Sequence, residues 1–183
     1  TRKPLALWFR AIWYVVGQKN GVSALGLQRI LGLSRYETTW VWLHKLRHAM
    51  LRPGRDRLHG AVEVDETYVG GRRSGKSGRG AAGKTLVLIL AENNCDRLGR
   101  IRLARLESAS AEHLIPAILK HVDPSSTVCT DGWPAYQSLP DHNYDHVIVR
   151  SHATIGEDLL PSAHLVASHL KRWLLSTHQA AVR

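Results

Sequence analysis

The chain has 183 residues, enough for one core-bearing domain and a small second one. It carries 25 Lys and Arg against 15 Asp and Glu, a formal net charge of +10, which points first to phosphate-rich partners because each neutralised phosphate releases counterions. No apolar run reaches the roughly 18 residues of a membrane helix, and Cys95 and Cys129 stand outside any CxxC spacing, reading as buried thiols in a reducing cytoplasm rather than as a zinc site or disulfide.

Residues 1–58 read as a small helical region. The opening stretch, TRKPLALWFRAIWYVVGQKN, lacks the cleavage site of a secretory signal and is interrupted by Arg10. It is expected to be a packed helix with Leu5, Trp8, Ile12 and Val15 on its core stripe. Residues 22–31 predict a short helix and Gly32-Leu33-Ser34 a turn, and Ser34 with Glu37 predicts a capping box that opens another helix. On that helix Tyr36, Trp40, Leu43, Leu46 and Met50 share a stripe. Thr38, Val41, Lys45 and His48 fall on the opposite face, which in a helix-turn-helix-like region meets a DNA groove and in a plain helical hairpin meets solvent. RPGRDRLHG, 52–60, reads as a linker.

Residues 59–183 alternate strand-like and helical runs, an α/β pattern. AVEVDETYV, 61–69, alternates as a strand with Glu63, Asp65 and Thr67 on one face. The connection that follows, GGRRSGKSGRGAAGK, sets Arg72, Arg73, Lys76 and Arg79 in a Gly-rich basic loop suited to tracking phosphates. Its end, 78–85, matches G-x-x-x-x-G-K-[ST], but a nucleotide loop must open a helix and LVLIL follows, so no nucleotide cofactor is expected. Residues 85–92 predict a strand buried on both faces. A third strand is expected at 100–106, a helix weakened by Pro116 at 110–122, a fourth strand ending on Asp131 at 126–131 and a fifth at 145–149. A last helix, 156–175, carries Val166, Leu170, Trp173 and Leu174 as its core stripe. Three strands, a helix, a strand and further helices follow the order of an RNase H-like mixed sheet flanked by helices.

Asp65 stands among valines in mid-strand, and Asp131 ends a strand before Gly132. An unpaired carboxylate inside an apolar strand costs several kcal/mol. A salt bridge to an arginine would account for Asp65, and a turn position for Asp131. Taken as a pair, the two suit a shared divalent cation, because Mg²⁺ takes oxygen ligands and keeps waters and substrate phosphates in its shell.

Four stretches together resemble a known family: KNGVSALGLQRILGLSRYETTWVWLHKLRHAM (19–50), RPGRDRLHGAVEVDETYVGG (52–71), TDGWPAY (130–136) and HLVASHLKRWLLSTHQAAV (164–182). They resemble the ISXO-type DDE transposases of bacterial insertion sequences. The resemblance implies an RNase H-like fold and Mg²⁺- or Mn²⁺-dependent strand cleavage and transfer. It implies terminal inverted repeats and target DNA as partners, a homo-oligomer in the active complex, no membrane, and a cytoplasmic, nucleoid-associated location. It implies Asp65 and Asp131 as the first two metal ligands. By the family's spacing His164 stands third, with Lys171, beside Arg172, against a phosphate. Histidine is a poorer Mg²⁺ ligand than a carboxylate, so Glu157 and Asp158 rival His164. The sequence lacks the family's CxxC zinc ribbon, stops at Arg183, and reads STHQAAV where glycines are usual. It is therefore expected to be a C-terminally incomplete catalytic domain, or alternatively a decayed remnant that occupies transposon ends without cutting.

Overall fold

A computed structural model of the chain describes residues 3–52, 54–70, 83–95, 97–149 and 158–178. The described chain divides into two units: one holds the residues up to Arg55 together with those from Lys171 onward, the other runs from Asp56 to Leu170.

The first unit contains α1 (Leu5–Gly17), α2 (Ala24–Leu31) and α3 (Tyr36–Ala49). Ser23 starts α2, its Oγ accepting the Gly26 N–H at 3.0 Å, and Gly32 ends it in the left-handed conformation at φ 64°. The capping box expected from Ser34 and Glu37 does not form. Arg35 occupies the cap position of α3 without a side-chain bond, which leaves Ser34 one residue too early, and the Gln28 amide donates to the Leu33 and Ser34 carbonyls instead.

The expected helix faces are also rotated. The core of this unit gathers Ala11, Val22, Leu27, Leu31, Trp42 and Leu43, and Trp8 stacks on Trp42 with ring centroids 3.8 Å apart. Trp40 and Trp42 lie on different sides of α3, so only one can face the core. The stack with Trp8 selects Trp42, with Thr39 and Leu43 beside it, and leaves Tyr36, Trp40 and Met50 exposed. In α1 the buried residue is Ala11, flanked by the partly buried Leu7, Trp8, Tyr14 and Val15, while Leu5 and Ile12 are exposed. Trp173 is seated in this unit. Arg47 donates to the Val22 carbonyl at 3.3 Å and lies 5.3 Å over the Trp173 ring. Gly21, at φ 76°, leaves room for the indole, since a Cβ there would stand 2.4 Å from it.

The second unit is built on β1 (Ala61–Val69), β2 (Thr85–Asn93), β3 (Leu98–Leu106), β4 (Thr127–Thr130) and β5 (Asp145–Ile148), in the order β3-β2-β1-β4-β5. The first three strands are antiparallel neighbours, and β4 and β5 run parallel to β1. This is the RNase H-like order, with α4 (Ala111–His121) and α5 (Pro161–His178) as flanking helices. The pleat sends Val62, Val64, Leu88, Leu90 and Val128 into one core with Leu114 and Ile118 of α4. Ile89 and Ala91 enter the other, with Ala163, Val166 and Ala167 of α5. Pro116 does not break α4. It is exposed, and burial of Leu114, Ile115 and Ile118 offsets the missing hydrogen bond.

Three expectations are corrected here. Leu58, assigned to the linker, is fully buried in the core; its N–H donates to the His121 carbonyl and its carbonyl accepts from Asp123, both at 2.8 Å. Cys95 is exposed in the β2–β3 turn at φ 51°, while Cys129 is partly buried. Only the first two members of the expected stripe on α5 belong to the sheet unit, since the helix passes to the other unit at Lys171. Thr85 opens a strand, which removes the helix a nucleotide loop needs. Among the described residues no helix is long and apolar enough to cross a membrane.

Glu92, buried at the end of β2, secures β3 and the segment before β1. Burial alone would raise its carboxyl. The Arg100 side chain, with Nη2 at 2.7 Å, and the N–H groups of His59 and Arg100, both at 3.0 Å, reverse this and hold it at about 2. The ordinary value is 4.5, so the stabilisation is fully present above that pH and lost as pH falls through about 2. At ~1.4 kcal/mol per unit this is on the order of 3 kcal/mol. Denaturant unfolding between pH 5 and 2 should show that loss. Glu92→Gln should remove most of this pH dependence, and a variant as acid-sensitive as the wild type would contradict the assignment.

Candidate active site

The cleft of the sheet unit lies where two parallel strands part. β1 and β4 pair at Ala61 with Thr127, Val62 with Val128 and Glu63 with Cys129, and the ladder ends there. Two residues beyond the last pair stand Asp65, within β1, and Asp131, one residue past the end of β4. Carrying the register forward sets them opposite each other, with side chains on the α5 side of the sheet. Asp65 remains paired with β2, opposite Ile89. Asp131 is held by a turn: its Oδ1 accepts the Trp133 N–H at 2.9 Å, and the Trp133 indole donates to the Ala109 carbonyl at 3.0 Å. Gly132 makes that turn at φ 79°, where a Cβ would stand 2.5 Å from the Ile148 side chain. Thr130 Oγ1 accepts the Gly132 N–H at 3.1 Å and meets His146 Nε2 at 2.9 Å.

The third wall comes from the start of α5, and Glu63 positions it. This carboxylate is only 3% exposed; its Oε2 accepts the Ala163 N–H at 2.9 Å and its Oε1 accepts from the Asn93 amide at 2.8 Å. An amide in the first turn of a helix has no partner within the helix, and the helix dipole favours an anion there. The next residue, His164, is set between two acids: Nε2 is 3.5 Å from Asp65 Oδ2, and Nδ1 is 2.5 Å from Asp158 Oδ1. Asp158 also accepts the Leu160 N–H at 3.2 Å. Asp65, Asp131, Asp158 and His164, with Val149, Leu159 and Leu160, line a cleft of about 490 Å³.

The cleft accumulates negative charge. Burial raises the Asp65 carboxyl above its ordinary range, and the charges of Glu66 and Asp131 push the same way, against the Glu66 backbone N–H and His164. Glu66 points to the other face, where the Tyr136 hydroxyl donates to it at 2.6 Å.

The remaining residues singled out in the sequence are distributed as follows. Lys171 and Arg172 are exposed on α5, in the part that groups with the helical unit. Lys45 and His48 are exposed on α3, lining a shallow hollow of about 370 Å³ with Trp40, Val41 and His44. Glu157, Arg72, Arg73, Lys76 and Arg79 lie outside the described residues. Among the described residues no three His, Cys, Asp or Glu side chains converge closely enough to hold a metal ion. Sequence reasoning placed Glu63 on the Asp65 face but gave it no role, and it missed Asn93. The available signal was a second carboxylate two residues before Asp65, pointing into the same apolar layer.

The family model of the ISXO2-like transposase domain matches residues 57–183. No curated protein matches the chain in sequence. Among solved structures, the Mos1 strand transfer complex is similar at 16% identity over 94% of this chain and 70% of that one, with a TM-score of 0.36. The Mos1 transposase paired-end complex with left transposon end is similar at 14% identity over 89% of this chain and 64% of that one, also at 0.36. At TM-scores this low the likeness carries no weight for this chain.

Glu63→Ala would take the acceptor from the buried Ala163 amide and remove the bond to the partly buried Asn93 side chain. It should destabilise the fold by about 1–3 kcal/mol, measured by denaturant unfolding. A change within a few tenths of a kcal/mol would show that the bond to α5 contributes little.

Proposed function

The chain belongs to the ISXO2-like transposase family, and we propose that it binds DNA ends and cuts and rejoins them by divalent-cation-dependent phosphoryl transfer. The observation that supports this most is that Asp65 on β1 and Asp131 just past the end of β4, both inside the matched stretch, line one cleft. The donor set fits a hard cation. Both residues offer carboxylate oxygens, and Asp65 carries a charge that burial and Asp131 disfavour and that a cation would compensate. Mg²⁺ or Mn²⁺ bound there would supply activation of the attacking oxygen and stabilisation of the leaving one.

Asp65 and Asp131 would hold the cation. His164 or Glu157 would complete the set or orient water and phosphate, with Asp158 fixing the imidazole through Nδ1. Lys171 and Arg172 would contact phosphates near the cut, and Lys45 and His48 would meet DNA from α3. Arg72, Arg73, Lys76 and Arg79 would track the backbone from the basic loop. The net charge of +10 supports this division, since phosphate contacts supply affinity and position while the acidic cleft performs the chemistry. A homo-oligomer acting on both transposon ends and target DNA completes the reading.

The test is cleavage and strand transfer on DNA carrying the element's ends, with and without Mg²⁺ or Mn²⁺. Asp65→Asn and Asp131→Asn should each lower the rate by about 10³-fold or more while leaving DNA binding intact. Binding of ends with no cutting under any metal would select the alternative of a DNA-binding remnant. Lys45→Ala should weaken binding and reduce the slope of log K against log salt by about 1. An unchanged slope would place α3 away from the phosphates.

A further inference from the structure

The helix α1 is apolar on two sides, and only one of them has a partner within its unit. Leu7, Trp8, Ala11, Tyr14 and Val15 face the core. Leu5, Phe9, Trp13 and Val16 are 65–73% exposed and Ile12 is 39% exposed. At 100° per residue the two stripes centre roughly 140° apart. A helix with apolar residues all round is normally covered all round.

We propose that the exposed stripe is a self-association seam, on which α1 of a second copy of this chain packs. Three observations favour this occupant. Leu5, Phe9, Ile12 and Val16 follow successive spacings of four, three and four residues, the pattern with which one helix packs along another, and Trp13 flanks that line. The stripe contains no charged residue, so two copies of a chain with net charge +10 meet there without like charges in contact, as a two-fold interface requires. The lack of Lys and Arg on the stripe also separates it from the surfaces suited to phosphate. With roughly 150–250 Å² available from each large aromatic, Phe9 and Trp13 and their aliphatic neighbours offer on the order of 500–700 Å². That approaches the ~800 Å² per partner of a standard interface.

The test is sedimentation velocity of the 183-residue chain, without DNA, from about 1 to 200 µM, a range that brackets micromolar association. The wild type should shift from monomer to dimer. Phe9→Glu with Trp13→Glu should raise the dissociation constant by about 100-fold or more. At low micromolar concentration, where the wild type is monomeric, its thermal melting should match the wild type, since both side chains are exposed. Phe9→Lys with Trp13→Lys should also be monomeric, and an equimolar mixture of the two variants should recover the dimer through opposite charges across the seam. A monomeric wild type throughout, or a dimer that survives both double variants, overturns the proposal. So does a wild type that stays monomeric but binds phosphatidylcholine–phosphatidylserine vesicles through Phe9 and Trp13, which would make the stripe a membrane-surface contact.

Discussion

A buried carboxylate rarely persists without a purpose, because removing its charge from water costs several kcal/mol unless it is fully bonded. Glu63 meets that condition with two partners from different elements. Asn93 donates from β2, and the Ala163 amide donates from the first turn of α5. The second bond fixes where the helix begins relative to the central strand. Asp65 is two residues from Glu63 and His164 is one residue from Ala163, so one interaction sets both sides of the cleft. The 3.5 Å approach of His164 to Asp65 follows from that anchoring.

The sequence made the sheet legible because its strands satisfy two simple patterns. Alternation in 61–69 reports a strand with unlike faces, and the unbroken apolar run at 85–92 reports one covered on both, as the two cores confirm. Asp65 stood out for the same reason, since an acid is rare inside such a strand, and Asp131 stood out only when paired with it. The helical region was harder. α3 carries aromatic residues on more than one side, so periodicity alone permits several buried faces. The choice is made by a long-range contact, Trp8 against Trp42, which spacing within α3 cannot reveal. The cap at Ser34 failed by one residue, a shift set by how Gln28 closes the turn. Leu58 was lost in a stretch of Gly, Pro and charge. Its burial comes from a single bridge to Val122, too short to leave a period in the sequence. The role of Glu63 was invisible for a related reason, since its partners lie 30 and 100 residues away.

The two aspartates are held with different firmness, and the strand geometry explains why. Asp65 lies within a ladder that continues on the β2 side for several residues beyond it. Asp131 lies past the end of β4, held by the turn through Trp133 and by the close approach of Gly132 to Ile148. A parallel pair that ends just before its acids leaves the gap between them to be set by side chains and turn rather than by backbone hydrogen bonds. Burial and Asp131 both disfavour the Asp65 anion. Bringing Asp131 closer therefore becomes favourable only with a cation or a positively charged group between them. The cleft thus sets a carboxylate fixed within a strand beside one fixed by a turn, and charge decides how close the two can stand.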